Sequence, residues 1–216
     1  MRVVVGIAGA SGAAVAVETL RQLAAAGAET HLVVSRWGAA TLKHETGLST
    51  RDLAGRVHAL YRNEDLAAPI SSGSFPVDAT VVVPCSARSL GAIASGAGDT
   101  LLARAADVAL KERRRLVLAL RETPLSAIHL RNALEVTHAG AIVCPLTPVF
   151  YSLPTTVDEV VHDLAERVVS LCGIEQPAAM VWGQDLDLHS TPAWRDRAAA
   201  PGATGPTDRA PEDLAR

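Results

Sequence analysis

The sequence predicts an α/β protein: a Rossmann-like, open and mostly parallel sheet with helices on both faces. Two observations carry that expectation. Short β-branched apolar runs alternate with Ala/Leu-rich helical stretches, and the runs are continuous, as strands buried on both faces require. A third observation is size, because 216 residues make one domain of ordinary dimensions.

The elements follow in order. Residues 2–7 (RVVVGI) read as the first strand and residues 12–26 as a helix with Ser11 as N-cap candidate. Strands are expected at 30–34 (THLVV), 80–83 (TVVV), 116–120 (LVLAL) and 141–144 (AIVC). Helical stretches fill 86–95, 99–114 with Asp99 as cap, and 124–138 with Thr123 as cap and Pro124 at the first helical position. The last helix, 157–171, stops where Gly173 can take a left-handed conformation. Residues 1–183 form the single expected domain. From 184 to 216 the chain turns Pro/Ala-rich and carries six acids and four bases, which reads as a flexible tail or, alternatively, a functional arm.

Composition narrows the functional classes. Hydrophobic residues make up 49%, yet aromatics number three Trp, two Tyr and two Phe, so the core is built from Val, Leu, Ala and Ile. A net charge of −3 leaves no basic surplus for nucleic acid. No apolar run reaches the ~18 residues of a membrane span, and the N-terminus reads as a strand rather than a signal peptide. The three cysteines, Cys85, Cys144 and Cys172, are odd in number and far apart, which fits reduced thiols in a cytoplasm. His129 and His138 lie nine apart and do not share a face at metal-ligand spacing, so the sequence offers no metal site.

In open α/β sheets ligands bind at the carboxyl ends of the strands, where strand order reverses. The segments following the strands are Gly6–Gly12 (GIAGASG), Ser35-Arg36-Trp37, Pro84–Ser89 (PCSARS), Arg121-Glu122-Thr123-Pro124 and Pro145–Tyr151 (PLTPVFY). The first is Gly-x-x-Gly-x-x-Gly feeding a helix, which could hold an anionic group on backbone N–H groups or serve only as a tight connection. It is neither the dinucleotide fingerprint nor a P-loop, and Ser35 stands where an NAD enzyme places an acid, so a mononucleotide phosphate fits better. Lys111–Arg115 (KERRR) reads as a solvated helix end. Arg121-Glu122 starts at the ligand edge, and a local ion pair capping the next helix is the competing reading.

GIAGASG at 6–12, SSGSF at 71–75, PCSARSL at 84–90, the block LLARAADVALKERRRLVLALRETPLSAIHLRN at 101–132, PLTPVFYSLP at 145–154 and Arg167 before LCGI occur together in one order. In these motifs the chain resembles the UbiX-type flavin prenyltransferases over roughly residues 1–183. The resemblance implies an FMN-binding homo-oligomer, commonly a dodecamer. It implies transfer of a dimethylallyl group from dimethylallyl phosphate to reduced FMN, at N5 and then C6. The prenylated FMN would serve a UbiD-type decarboxylase, with no metal involved. Carried onto this sequence, Ser11, Glu45, Glu122 and Lys111 would be catalytic. Gly9, Ala10, Ser11, Ser35, Ser86, Ser89, Arg104 and Arg121 would bind FMN. Lys111, Arg121, Tyr151, Arg167 and Trp182 would hold the allyl phosphate, some of them from a neighbouring subunit. PCSARS departs from the commoner PCSMKT, Ala16 from a frequent Gly and Thr100 from a frequent Asn; none removes a catalytic group. Two other functions compete: an FMN-dependent decarboxylase of the cysteine-decarboxylase type, and a non-catalytic FMN carrier for a partner decarboxylase.

Overall fold

The computed structural model describes residues 1–175; Trp182 and the expected tail lie outside them. Six strands form one sheet: β1 (Arg2–Ile7), β2 (Glu29–Val34), β3 (Ala59–Arg62), β4 (Ala79–Cys85), β5 (Arg115–Leu120) and β6 (Ile142–Val143). All neighbouring pairs are parallel, in the order β3-β2-β1-β4-β5-β6. Among the described residues seven α-helices pack on it: α1 (Ala13–Ala25), α2 (Arg36–Thr46), α3 (Thr50–Ala54), α4 (Ala87–Ala94), α5 (Leu101–Lys111), α6 (Ala127–His138) and α7 (Val157–Leu171).

The continuous apolar runs serve two cores at once. In β1, Val3, Val5 and Ile7 join the core that α1 and α7 cover, whereas Val4 faces the core under α4, α5 and α6. The same alternation divides Val81 from Val82 in β4 and Val117 from Leu116 and Leu118 in β5. Apart from Arg2 and Arg115 at the strand starts, every residue of β1, β4 and β5 is therefore buried, which is why the sequence shows a run and not an apolar/polar alternation.

Order reverses between β1 and β4: from β1 the chain builds outward to β3, then returns to lay β4 on β1's other side. Backbone bonds extend the ladder beyond the strands and fix where each loop departs: Ala8 N–H to Pro84 O (3.2 Å), Ser35 to Ile7 (2.9 Å), Arg121 to Cys85 (3.0 Å) and Leu146 to Leu120 (2.9 Å). The loops that leave the carboxyl ends thus start from a rigid edge.

Several local expectations are corrected. Gly12, not Ser11, occupies the N-cap position of α1, with φ 109°. Thr100 rather than Asp99 caps α5, its side chain accepting from Ala103 N–H, and α5 ends at Lys111 instead of 114. Helix α6 begins at Ala127, beyond Pro124, because Ser126 and His129 form a reciprocal capping box there. Helices α2 and α3 and strand β3 were not expected. Helix α2 buries only Gly38 and Leu42, so no apolar stripe marks it, and β3 is a four-residue edge strand that is only half-buried.

Candidate active site

The first loop and helix α2 are built around each other. A Cβ on Gly9 would lie 2.3 Å from Trp37 Cβ, and one on Gly38 would lie 2.3 Å from the Ile7 carbonyl oxygen. Two glycines therefore permit α2 to start directly against the end of β1. At its other end α2 carries Glu45, whose Oε2 accepts the N–H groups of Gly12 (2.9 Å) and Ala13 (2.7 Å). The N–H groups at the start of α1 are thus taken by the protein's own carboxylate, so of the two readings of this loop the geometry favours the tight connection. Partial burial pushes the Glu45 pKa up, but the Ser11 hydroxyl, the Ala13 and Gly12 N–H groups and the Arg121 charge outweigh it, and the net shift is downward. Glu45 is ionised near neutrality and accepts from Ser11.

A cleft of about 590 Å³ opens at the reversal point, within the size range of small-molecule sites. Gly9, Ser35, Ser86, Ser89 and Glu122, all expected site residues, line it. Three helix N-termini open into it. Ser35 caps α2 by accepting Gly38 N–H (3.0 Å), Ser86 caps α4 by accepting Ser89 N–H (3.2 Å), and Asp99 and Thr100 bring the start of α5. Arg36 and Arg88 add charge at the rim, and Leu102 and Ala103 supply an apolar wall. Donor-rich helix starts, two guanidiniums and an apolar surface fit a flat heteroaromatic ring with a phosphate tail, as FMN has. Glu122 accepts Thr123 N–H (3.1 Å), and α6 takes its cap from Ser126, so Arg121-Glu122 does not cap the next helix.

A second cavity, about 440 Å³, lies between the segment after β6 and helix α7. Tyr151 and Arg167 meet in it, with Leu146, Cys144, Asp163 and Glu166. Burial pushes the Glu166 carboxyl up, with Asp163 adding to the rise and His162 opposing it. The first loop lines the cleft through Gly9 and packs beside the second cavity at Gly12, where a Cβ would stand 3.4 Å from Leu146. Ser11 lies between these two glycines.

The remaining expected residues are placed elsewhere. Arg104 does not line the cleft; it pairs with Asp107 (2.6 Å), donates to Ser71 O (3.1 Å) and borders a separate shallow depression. Ala10 and Arg121 line neither cavity, although Arg121 is within electrostatic reach of Glu45. Lys111 ends α5, four residues before β5 begins, and therefore sits at the amino-terminal edge of the sheet, paired with Glu112. Its neighbour Arg114 is not a solvated helix end. It donates to Gly73 O (2.6 Å) and Phe75 O (2.8 Å), pinning the SSGSF loop.

Sequence spacing offered no His pair, but the fold brings the ligand atoms of Glu29, His31 and His58 within 4.8 Å of one another. They stand at the amino-terminal edge, away from both cavities. Arg2 takes both Glu29 oxygens (2.8 and 3.0 Å), and its guanidinium, through hydrogen bonds, is the first cause of a Glu29 pKa lowered to about 2. The cluster is a charge-satisfied network holding the start of β2 to β1. Residues distant in sequence carried no signal for it. Cys85 and Cys172 are buried free thiols, each pushed up to about 12 by that burial.

Comparison with known proteins agrees with this geometry. The family model described as Flavoprotein matches residues 1–169. A probable UbiX-like flavin prenyltransferase of Bacillus subtilis (strain 168) is 48% identical over 182 residues, covering 84% of this chain and 89% of the relative. Two solved structures superpose closely at 45% identity over 84% of this chain. One is AnUbiX (PadA1) in complex with FMN and dimethylallyl pyrophosphate, with a TM-score of 0.82 and 96% of that chain covered. The other is a dodecameric FMN-dependent UbiX-like decarboxylase from Escherichia coli O157:H7, with a TM-score of 0.81 and 99% covered. With half its sequence shared across nearly the full length of such a relative, and the same fold, the chain belongs to the UbiX-type flavin prenyltransferase family of flavoproteins.

Proposed function

We propose that this protein transfers a dimethylallyl group from dimethylallyl phosphate to reduced FMN, at N5 and then C6, making prenylated FMN for a UbiD-type decarboxylase. One observation carries the reading: a cleft suited to a flavin is lined by Gly9 of the first loop, and a second cavity holding Tyr151 and Arg167 is lined by Leu146, which packs beside Gly12 of the same loop. Reduced FMN would supply the nucleophilic positions that receive the allyl group. Gly9, Ser35, Ser86 and Ser89 hold it in the cleft, and Ser11, oriented by ionised Glu45, meets its reactive edge. As the allyl C–O bond breaks, the electron pair leaves with phosphate, and the charge of Arg167 and the Tyr151 hydroxyl stabilise it. Arg121 adds charge from beside Glu45, and Glu122 manages protons from the cleft side. Enclosure matters because water competes for the allyl group.

Lys111 reaches a departing phosphate only from a neighbouring subunit, since within its own chain it stands at the opposite sheet edge. We therefore read the protein as a homo-oligomer, a dodecamer as for the Escherichia coli neighbour. Exposed Ile128 (62%), Leu130 (56%) and Phe150 (70%) supply apolar surface for subunit contacts. Arg104 would face the flavin phosphate from the depression beside the cleft, and Trp182, with the tail to 216, lies outside the described residues. Among the described residues no helix is long and apolar enough to cross a membrane.

The competing decarboxylase reading needs a catalytic His, and among the described residues no His lines the cleft or the second cavity. The deciding experiment is anaerobic incubation with reduced FMN and dimethylallyl phosphate, and in parallel the pyrophosphate. The released flavin is then weighed by intact mass spectrometry. A gain of one five-carbon unit is expected; unmodified FMN with both donors would leave the carrier or the decarboxylase.

A further inference from the structure

The segment between β6 and α7 is where the second cavity is made, and little regular structure holds it. Its start is fixed by the Cys144 and Leu146 N–H groups on the carbonyls of Leu118 and Leu120 (both 2.9 Å). Beyond that, its backbone bonds close local turns, Thr147 to Pro145 and Leu153 to Phe150. Leu153 takes a φ of 53°, a left-handed conformation that costs a side-chain-bearing residue energy and persists only where surrounding contacts hold it. Next to it, the half-buried Ser152 hydroxyl donates to Asp163 Oδ2 at 2.6 Å, a short charge-assisted bond. Asp163 lies on α7 one helical turn before Arg167, and both line the cavity that Tyr151 also lines.

We propose that Ser152 and Asp163 form a positioning clamp, which holds the Tyr151 segment against α7 so that Tyr151 and Arg167 face one phosphate together. This rests on the prenyl transfer proposed above. Asp163 does not itself touch the phosphate; a carboxylate there would repel it. Its role is to tie down a strained segment in advance, so that binding does not have to order it. Ser152 and Asp163 are thereby specificity-supporting residues of the donor cavity, whereas the flavin cleft, which neither of them lines, is independent of them.

The test uses the full chain loaded with oxidised FMN, which binds without turnover, and dimethylallyl phosphate titrated by calorimetry. Ser152→Ala and Asp163→Ala should each weaken dimethylallyl phosphate binding about tenfold, the worth of a lost hydrogen bond to a charged group. The double variant should be no worse than either single one. Asp163→Asn keeps an oxygen acceptor for the hydroxyl and should stay within about threefold of wild type. FMN affinity should not move. In turnover with reduced FMN, the donor KM should rise more than kcat falls. Unchanged donor binding in the alanine variants, or additive effects, would overturn the clamp. So would concurrent loss of FMN binding, which would make the pair merely structural. If wild-type protein binds no dimethylallyl phosphate, the transferase reading fails first and the clamp with it.

Discussion

The flavin cleft and the donor cavity are made by different means, although the first loop lines one and packs against Leu146 of the other. The cleft stands at the centre of the sheet, where Ser35 and Ser86 cap helices that leave the buried strands β2 and β4, and Thr100 caps α5. What it offers is largely backbone: N–H groups, helix starts and shape. The donor cavity stands at the sheet edge beside two-residue β6, and what it offers is side chains, Tyr151 and Arg167, presented from an irregular segment and a helix. A backbone-built site should lose affinity when its packing is disturbed. A side-chain-built site should lose rate when a single charge is removed.

Four changes would break or sharpen that contrast, in descending size. Glu122 is the cleft's exception, a side chain with proposed chemical work. Glu122→Gln should keep FMN bound and cut turnover about 10³-fold, measured as single-turnover prenyl incorporation by mass spectrometry. Unchanged turnover would remove Glu122 from the reaction. Next, Arg167→Ala should cost about 10²-fold in rate with FMN affinity intact; parallel loss of flavin would show that the two cavities are not separable.

Gly38→Ala should do the reverse. Its Cβ would meet the Ile7 carbonyl oxygen at 2.3 Å, a backbone atom that cannot step aside. Overpacking of this kind costs about 1–3 kcal/mol and shifts α2 with its Ser35 cap. A thermal melt about 5 °C lower should accompany weaker FMN binding. A silent Gly38→Ala would mean that the cleft does not depend on the seat of α2.

The smallest effect concerns the seam between α1 and α7. The Arg21 guanidinium, against a penalty from burial and with help from Gln22 and His162, holds the Glu18 carboxyl down at about 2. His162 Nδ1 lies 2.9 Å from the same carboxylate and connects it to α7. The ordinary carboxylate value is 4.5, so this stabilisation is complete above about pH 4.5 and is lost as pH falls towards 2. Glu18→Gln should lower the melting temperature by about 2–4 °C at pH 7 and flatten its fall below pH 4.5. Because α7 carries the donor cavity, donor binding should weaken on acidification before FMN binding does; simultaneous loss would argue against an independently loosened α7.

Most of the fold was legible before the structure, and the reason is particular. RVVVGI, TVVV and LVLAL are long apolar runs whose burial on both faces leaves no other reading, and α7 coincides with the expected 157–171 because Thr156, Glu159 and Gly173 mark both its ends. Cap positions slipped by one to three residues at α1, α5 and α6 because Glu45 of α2 takes the first N–H groups of α1, Thr100 rather than its neighbour Asp99 caps α5, and Ser126 pairs with His129 at α6. Helix α2, with two buried residues, left no trace, and so the element that supplies Glu45 and seats the first loop was invisible.

The sequence by itself determined the strand count in the sheet's centre, the edge where ligands gather, and, through its motifs, the family. Those properties reside in local composition and spacing, which a linear chain displays directly. Only the tertiary structure decided that Glu45 fills the N-terminus of α1, that Lys111 stands at the opposite edge from Arg167, that Arg114 grips the SSGSF loop and that Ser152 meets Asp163. Each is a pairing of polar groups 11 to 41 residues apart, or a separation across the sheet, and such pairings have no period and no compositional signature. They come into being only when buried strands and helices have set the distances.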